Sequence, residues 1–284
     1  MKTKWHLMAL IAFLMLSCTG TTKTIVPGKN YVTKKVHTGS FKGISTSTSI
    51  DVLYTQTAGS RDVEVYAPDN LMEYIKVEVK NDVLAVRIQS KDKKGLNIRG
   101  THKIKVLVSA PAVSELRTSS SGDIILQNGL KTDGEVRMHA SSSGDIKGGE
   151  VVCTSLSLTA SSSGDVVLDK VRCASLNADA NSSGDVKISE VTAESVNAQA
   201  DSSGDIILSG ITDTANLSAS SSGNVSAQRL KANQVTAKAS SSGDVSCHAV
   251  ESLNATVSSS GSVNYKGNPK HIDFHPKRGL KKID

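Results

Sequence analysis

The sequence predicts an all-β chain: a single-stranded parallel β-helix, or solenoid, wound right-handed in coils of about twenty residues with an irregular β cap at its amino-terminal end. Three observations carry this. Ser-Ser-Gly-Asp or a near variant places glycine at Gly122, Gly144, Gly164, Gly184, Gly204, Gly223, Gly243 and Gly261, at successive intervals of 22, 20, 20, 20, 19, 20 and 18 residues. Two residues after each glycine stands a β-branched side chain: Ile124, Ile146, Val166, Val186, Ile206, Val225, Val245 and Val263. Aromatic residues make up only 3% of the chain, so the interior is built from small and β-branched groups.

Residues 1–17 begin with Lys2 and Lys4, continue through the apolar run Leu7 to Leu16 and end at Ser17. That run is short of the about 20 residues that span a bilayer and has the shape of a secretory signal. Met15-Leu16-Ser17-Cys18 resembles the lipobox of bacterial lipoproteins. The resemblance implies cleavage before Cys18, acylation of its thiol with diacylglycerol and acyl chains such as palmitate, and a membrane partner reached through that anchor. Residues 18–35 are expected to be a polar tether.

Residues 36–118 lack the glycine repeat but alternate as strands do, at Val63-Glu64-Val65, Ile75-Lys76-Val77-Glu78-Val79, Val83-Leu84-Ala85-Val86 and Ile104-Lys105-Val106-Leu107-Val108. Asn81-Asp82 reads as a hairpin turn, and residues 68–74 as a short helical turn. This part is expected to form the first layers and to cap one end of the solenoid.

Residues 119–265 are the repeat. Alternation continues four residues after each glycine, at Leu126, Gly148, Leu168, Ile188, Leu208, Ala227, Cys247 and Tyr265. Before the glycines a second strand recurs, as in Leu156-Leu158-Ala160 and Val196-Ala198-Ala200. A third apolar column is expected seven after the glycine, at Val151, Val171, Val191, Ile211, Leu230 and Val250. No such unit buries its faces alone, whereas stacking at about 4.8 Å makes one continuous core. Residues 266–284 hold six Lys or Arg against two Asp and read as a basic tail.

The pattern Phe41-Lys42-Gly43-Ile44, Ile50-Asp51-Val52, Val63-Glu64-Val65, Asn70-Leu71 and Val83-Leu84, running into serial Ser-Ser-Gly-Asp units, resembles the putative auto-transporter adhesin head GIN domain of Bacteroidetes lipoproteins. The resemblance covers residues 36–265. It implies a β-helical envelope protein with an adhesin-like role in cell adhesion, and it brings no catalytic residues.

The residue after each glycine forms a column, Asp123, Asp145, Asp165, Asp185, Asp205, Asn224, Asp244 and Ser262. Stacked carboxylates could hold Ca²⁺, which takes 6–8 oxygen ligands. Turn chemistry, in which each side chain satisfies nearby backbone, accommodates Asn224 and Ser262 better. In the serine runs, Ser142, Ser162, Ser182, Ser202, Ser221 and Ser241 are expected to point inward, with their neighbours forming a solvated face. Cys153 and Cys173 both lie nine after their glycines, as stacked neighbours that form either a disulfide or two packed thiols; Cys247 reads as core. The seven histidines are scattered, with His271 and His275 beside only Asp273, so no metal site is expected.

The net charge of +6 sits at the two ends and leaves residues 18–265 near zero. With no basic stripe and few stacking aromatics, no nucleic-acid partner is expected. No cofactor is expected either. The predicted function is a non-catalytic adhesin-like binding or structural module at the cell envelope, tethered to the outer membrane, with a glycan or protein ligand. The alternative is a polysaccharide-active β-helix enzyme of the lyase or hydrolase type. Such enzymes need an asymmetric cluster, and a surface that repeats in every coil is a poor way to build one.

Overall fold

The computed structural model describes residues 23–59, 61–90, 96–275 and 278–284. The expected signal segment and Cys18 lie outside the described residues. Nearly all regular structure is β-strand, wound into a solenoid of about eight turns.

One repeat shows how a coil is made. The strand Val166–Ala180 runs parallel to Val186–Ala200, each residue opposite the one twenty later. Pairing is interrupted at Asp169 and Ala174, which divides the coil into three sides: 166–168, 170–173 and 175–180. A turn then leads to the next glycine. On the first side, Ile124 through Val263, two after each glycine, are all at most 1% exposed. On the third side Ala140, Ala160, Ala180, Ala200, Ala219 and Ala239 are buried as well. Earlier in the stack their place is taken by buried Thr46 and Thr118. The Thr46 hydroxyl donates to the Ile50 carbonyl (2.9 Å), so it joins the core without an unpaired polar group.

The repeat glycine is required by a close approach. A Cβ on Gly184 would lie 2.5 Å from the Ser161 nitrogen and 2.7 Å from the Ala160 carbonyl carbon of the preceding coil. The left-handed residue of the turn is instead the serine two positions earlier, with φ of 65° at Ser142, 61° at Ser162 and Ser182, 62° at Ser202 and 58° at Ser221 and Ser241. These six serines were expected inward, and all are exposed. The reason is local: a residue with positive φ reverses the alternation, so the inward/outward count of the strand cannot be carried through the turn. The turns stack by backbone bonds, as from Ser163 N–H to Ser142 C=O and from Ser183 N–H to Ser162 C=O, both 2.7 Å.

The third apolar column is corrected at two places. Val151, Val171, Val191 and Leu230 are buried, but Ile211 is 56% and Val250 44% exposed. Their coils are short by one and two residues, 19 and 18 instead of 20. The loss falls before the column, so Gly210 takes the place opposite Val191 and Ile211 pairs with outward Thr192. A one-residue slip in a strand exchanges its faces.

In the amino-terminal part, chain order and stacking order differ. Gly43–Ser47 and Asp51–Gln56 form a layer held between Val83–Ile88 and Lys105–Ala110 on one side and Glu115–Ser119 and Ile124–Leu126 on the other. Antiparallel strands close this end. Ile75–Lys80 folds back on Val83–Ile88 through Asn81 and Asp82 (φ 52° and 61°), and Asp62–Pro68 joins Lys105–Ala110 to Tyr31–Val36. The 3-10 helix Asp69–Tyr74 plugs the cap with buried Leu71 and Tyr74. The expected tether therefore ends early: Lys23–Ile25 pairs with Leu96–Ile98, and Tyr31–Val36 is an edge strand.

The described residues of 266–284 are not a tail but the closing coil. His271–His275 pairs with 252–256, and Leu280–Lys282 with 263–265. Phe274 and Leu280 pack against the core, while charged neighbours on these last strands discourage further pairing.

Two predictions follow from these columns. Val186→Asp places an unpaired carboxylate at a fully buried site and should cost several kcal/mol (about 3 or more); Lys187→Asp, outward, should change stability by about 0.5 kcal/mol or less. Equal denaturant midpoints for the two would contradict the register. Likewise Gly184→Ala should lower the melting temperature strongly, whereas Gly149→Ala, whose added Cβ meets nothing within 4 Å, should not.

Candidate binding surfaces

The aspartate column lies at the start of the first side. The backbone N–H of Asp145, Asp165, Asp185 and Asp205 each donates to Oδ1 of the aspartate one coil earlier, at 3.0 Å in every case. Asn224 continues it through Nδ2 to Asp205 Oδ1 (2.9 Å), and Ser262 through Oγ to Asp244 Oδ1 (2.6 Å). The ladder begins one coil before the repeat, because Asp123 N–H donates to Asp51 Oδ1 (3.3 Å); its signal was Ile50-Asp51-Val52, an early copy of the Asp-Ile or Asp-Val step. Lys147 bridges Asp123 and Asp145 (3.1 and 2.8 Å). Burial raises the Asp185 carboxyl above its usual range, opposed by the Asp205 N–H and aided by the charges of Asp165 and Asp205. One oxygen of each linked carboxylate is thus committed to the next coil, to a backbone N–H from Asp51 through Asp185 and to a side chain at Asp205 and Asp244. Among the described residues no group of three or more His, Cys, Asp or Glu is placed to hold a metal ion.

Cys153, Cys173 and Cys247 are free thiols. Cys173 is registered against Ala193, and the Cys153 N–H donates to the Arg172 carbonyl (3.1 Å). Burial pushes Cys153 up to about 11 and Cys247 up to about 12; Cys173 is also pushed to about 12, by burial and then by neighbouring Cys153. All three are therefore protonated at neutral pH and weak nucleophiles.

The third side carries a surface that the repeat motif did not announce. Its outward residues form two columns. One runs Glu115, Arg137, Ser157, Asn177, Asn197, Asn216, Thr236, Asn254; the other runs Arg117, His139, Thr159, Asp179, Gln199, Ser218, Lys238, Thr256. Asn197 Nδ2 donates to Asn177 Oδ1 and Asn216 Nδ2 to Asn197 Oδ1, both at 2.9 Å. This amide ladder floors a shallow groove of about 650 Å³, with Asp179, Gln199 and Lys238 along it. A smaller groove of about 160 Å³ extends the same face past Arg137 and His139. Burial, then the charge of Arg117, lowers His139 below its ordinary value, so this face presents a largely neutral imidazole near pH 7. Each Asn in the ladder keeps a second amide hydrogen for a ligand. The sequence signal was available, as polar residues at the alternate positions of the second strand, but outward positions need not repeat in kind.

Residues 40–204 and, again, residues 167–269 match the model of the family described as putative auto-transporter adhesin, head GIN domain. The chain belongs to that family. The overlap of the two matches is what a translational repeat produces, since the head GIN pattern aligns in more than one register of coils. Three crystal structures described as putative adhesins share the fold. One from Parabacteroides distasonis ATCC 8503 has a TM-score of 0.71 at 21% identity, covering 92% of this chain and 100% of its own. One from Parabacteroides merdae ATCC 43184 has 0.67 at 20%, over 92% and 99%. One from Bacteroides fragilis NCTC 9343 has 0.52 at 27%, over 91% and 100%. No curated protein matches the chain.

The ladder generates a prediction about the head GIN repeat. Asp185→Asn keeps an oxygen for the Asp205 N–H and removes a charge between Asp165 and Asp205, so it should hold or raise the melting temperature at pH 7. Asp185→Ala leaves that N–H without its partner and should cost about 1 kcal/mol. The sign follows from the raised carboxyl: the repulsion is present only when Asp185 is ionised, so the advantage of Asn over Asp should shrink as pH falls through the folded-state value.

Proposed function

We propose that the chain is a lipid-anchored envelope protein of adhesin type, non-catalytic, whose polar third side binds an extended glycan or peptide. The observation that carries this reading is the amide-floored groove on a rigid parallel sheet, where hydrogen-bonding side chains are presented at the fixed strand spacing of about 4.8 Å. Membership of the adhesin family supports it. The lipobox-like Met15-Leu16-Ser17-Cys18 supports anchoring at the capped end, with the outer membrane as the partner surface. No helix among the described residues is long and apolar enough to cross a membrane.

The alternative, a polysaccharide-active enzyme, finds less support in the side chains. Glycoside hydrolysis ordinarily takes a pair of carboxyl groups flanking one bond. The long groove is lined by a single carboxylate, Asp179, among amides and hydroxyls. One oxygen of each linked aspartate in the ladder is already bonded to the next coil, and the thiols are protonated.

Two measurements test the proposal. Cys18→Ser should abolish palmitate labelling and move the protein from the membrane to the soluble fraction; retention of label would refute the anchor. On intact cells, where protease accessibility separates surface from periplasmic display, a chain carrying Asn197→Ala and Gln199→Ala should bind envelope glycans about tenfold more weakly with an unchanged melting temperature. Undiminished binding would remove the groove from consideration.

A further inference from the structure

The open amino-terminal end of the solenoid has a character of its own. Among the described residues Tyr31–Val36 pairs only with Asp62–Pro68, and Ile75–Lys80 only with Val83–Ile88, so these strands are the last layers of the first and third sides. Between them lies a groove of about 340 Å³ lined by apolar Met72 and Ile75 and by Lys34, Lys35, His37 and Lys76. Among the described residues no carboxylate lines it. The acids nearby are Glu64, held by Lys35 (3.4 Å), Glu78, held by Arg87 (2.7 Å), and Glu73, exposed on the 3-10 helix. The start of the chain leads to the same end. Lys23 Nζ donates to the Tyr74 hydroxyl (2.6 Å), beside Ile75 and Lys76, and Asn70 Nδ2 of the same helix donates to the Val26 carbonyl (2.8 Å). The Val26 side chain is 69% exposed there. Cys18 stands five residues before Lys23, and five residues reach at most about 18 Å. Charge is divided along the axis. Residues 23–118 hold 16 Lys or Arg against 9 Asp or Glu, residues 120–223 hold 6 against 14, and residues 224–284 hold 9 against 4.

We propose that this capped end rests on a bilayer of anionic phospholipid, with Lys34, Lys35 and Lys76 facing headgroup phosphates and the solenoid axis upright. Acyl chains at Cys18 would hold the end near the bilayer without setting its tilt; cations gathered at that end set it. A solenoid lying flat would press the acidic repeats of residues 120–223 against headgroups of the same sign. The closing coil is cationic too, but about eight turns place it about 38 Å along the axis, out of reach of a five-residue link. Apolar Met72, Ile75 and Val26 beside the lysines suit the boundary between headgroup and acyl chain, where lysine stems lie along apolar surface and ammonium groups stay in water. Charge of either sign would protect two open strand edges from further pairing. Only positive charge suits an anionic surface, so reversing the charge separates the two roles. The upright posture rests on the anchor reading above, whereas the affinity of this end for anionic lipid stands apart from it.

The test uses vesicles of phosphatidylcholine, alone or mixed with phosphatidylglycerol. Residues 19–284, which keep every described residue and lack both the signal segment and Cys18, should sediment with the mixed vesicles and not with the neutral ones. Raising salt from about 0.05 to about 0.5 M should weaken that binding about tenfold or more. Lys34→Glu with Lys76→Glu should weaken it about tenfold at the parent's melting temperature, and Lys231→Glu with Lys266→Glu, the same change of net charge in later coils, should leave it within about twofold. On the acylated full chain in mixed vesicles, a water-soluble amine reagent read by mass spectrometry should modify Lys34 and Lys76 about tenfold more slowly than in neutral vesicles, with Lys231 unchanged. Absence of binding by residues 19–284, or an equal loss in the two double variants, would overturn the docking. So would a chain that binds a sulfated polysaccharide and not the vesicles. Vesicle binding by residues 19–284 beside an unlabelled Cys18 in the palmitate experiment would refute the anchor and support the docking.

Discussion

Everything in this solenoid depends on backbone hydrogen bonding between coils at one fixed spacing. Parallel strands accept only a narrow separation, about 4.8 Å, so each coil must lie on the last almost without lateral freedom. The consequences reach individual atoms. Gly184 is glycine because the preceding coil's backbone occupies the space of its Cβ. The third side buries alanine because the interior between the sides is thin. Asp165 and Asp185 recur because a side-chain oxygen one coil below is at hydrogen-bonding distance from each aspartate N–H at the corner. Stability is then a sum over neighbouring layers, and each column is a set of nearly equivalent local decisions.

A stack built this way has two open ends, and the chain closes them differently. At the amino-terminal end the direction of the strands is reversed, with Ile75–Lys80 and Asp62–Pro68 antiparallel to the layer beneath and Leu71 and Tyr74 filling the gap. Inserting 43–56 between later strands ties that cap to the repeat by contacts far apart in sequence. At the other end the parallel winding simply continues for one coil whose inward positions thin to Phe274 and Leu280 and whose edge carries His271, Asp273, Lys281 and Lys282. Charge, in place of a reversed strand, makes that edge unattractive to further pairing.

The same constraint that fixes the inward columns leaves the outward ones free, and the three sides have used that freedom differently. The first side is bound up in its own aspartate ladder. The third presents amides and hydroxyls in two straight rows, with Asn177, Asn197 and Asn216 bonded to one another and so held in place for a ligand. The second exposes apolar Ile211 and Val250 among side chains of both charges. A rigid lattice of identical spacing thereby displays unlike chemistries around its circumference, which suits a protein of an adhesin family better than it would suit catalysis at a single point.

The sequence alone determined the period, the strand columns and the glycine corners, because burial and hydrogen bonding force the same residue types to recur at each layer. Ile124 to Val263 and the alanines before Gly144 through Gly243 were readable for that reason, and the Asn81-Asp82 hairpin from its own turn residues. The aspartate ladder was readable as a column too, though its partner, the backbone N–H one coil on, is a contact between residues twenty apart. Cys18 stands on its local motif. Only the tertiary structure decided the rest. Ser162 and its equivalents turn outward because a left-handed residue breaks the alternation from which inwardness is counted. Ile211 and Val250 are exposed because the missing residues of two coils fall before them and not after, a choice set by the neighbouring layer. The last residues form a coil because Val257 and Val263 offered them a surface to cover, which no property of 266–284 taken alone could supply. The amide groove stayed hidden because outward positions answer to a ligand, and the lattice imposes no repetition on them.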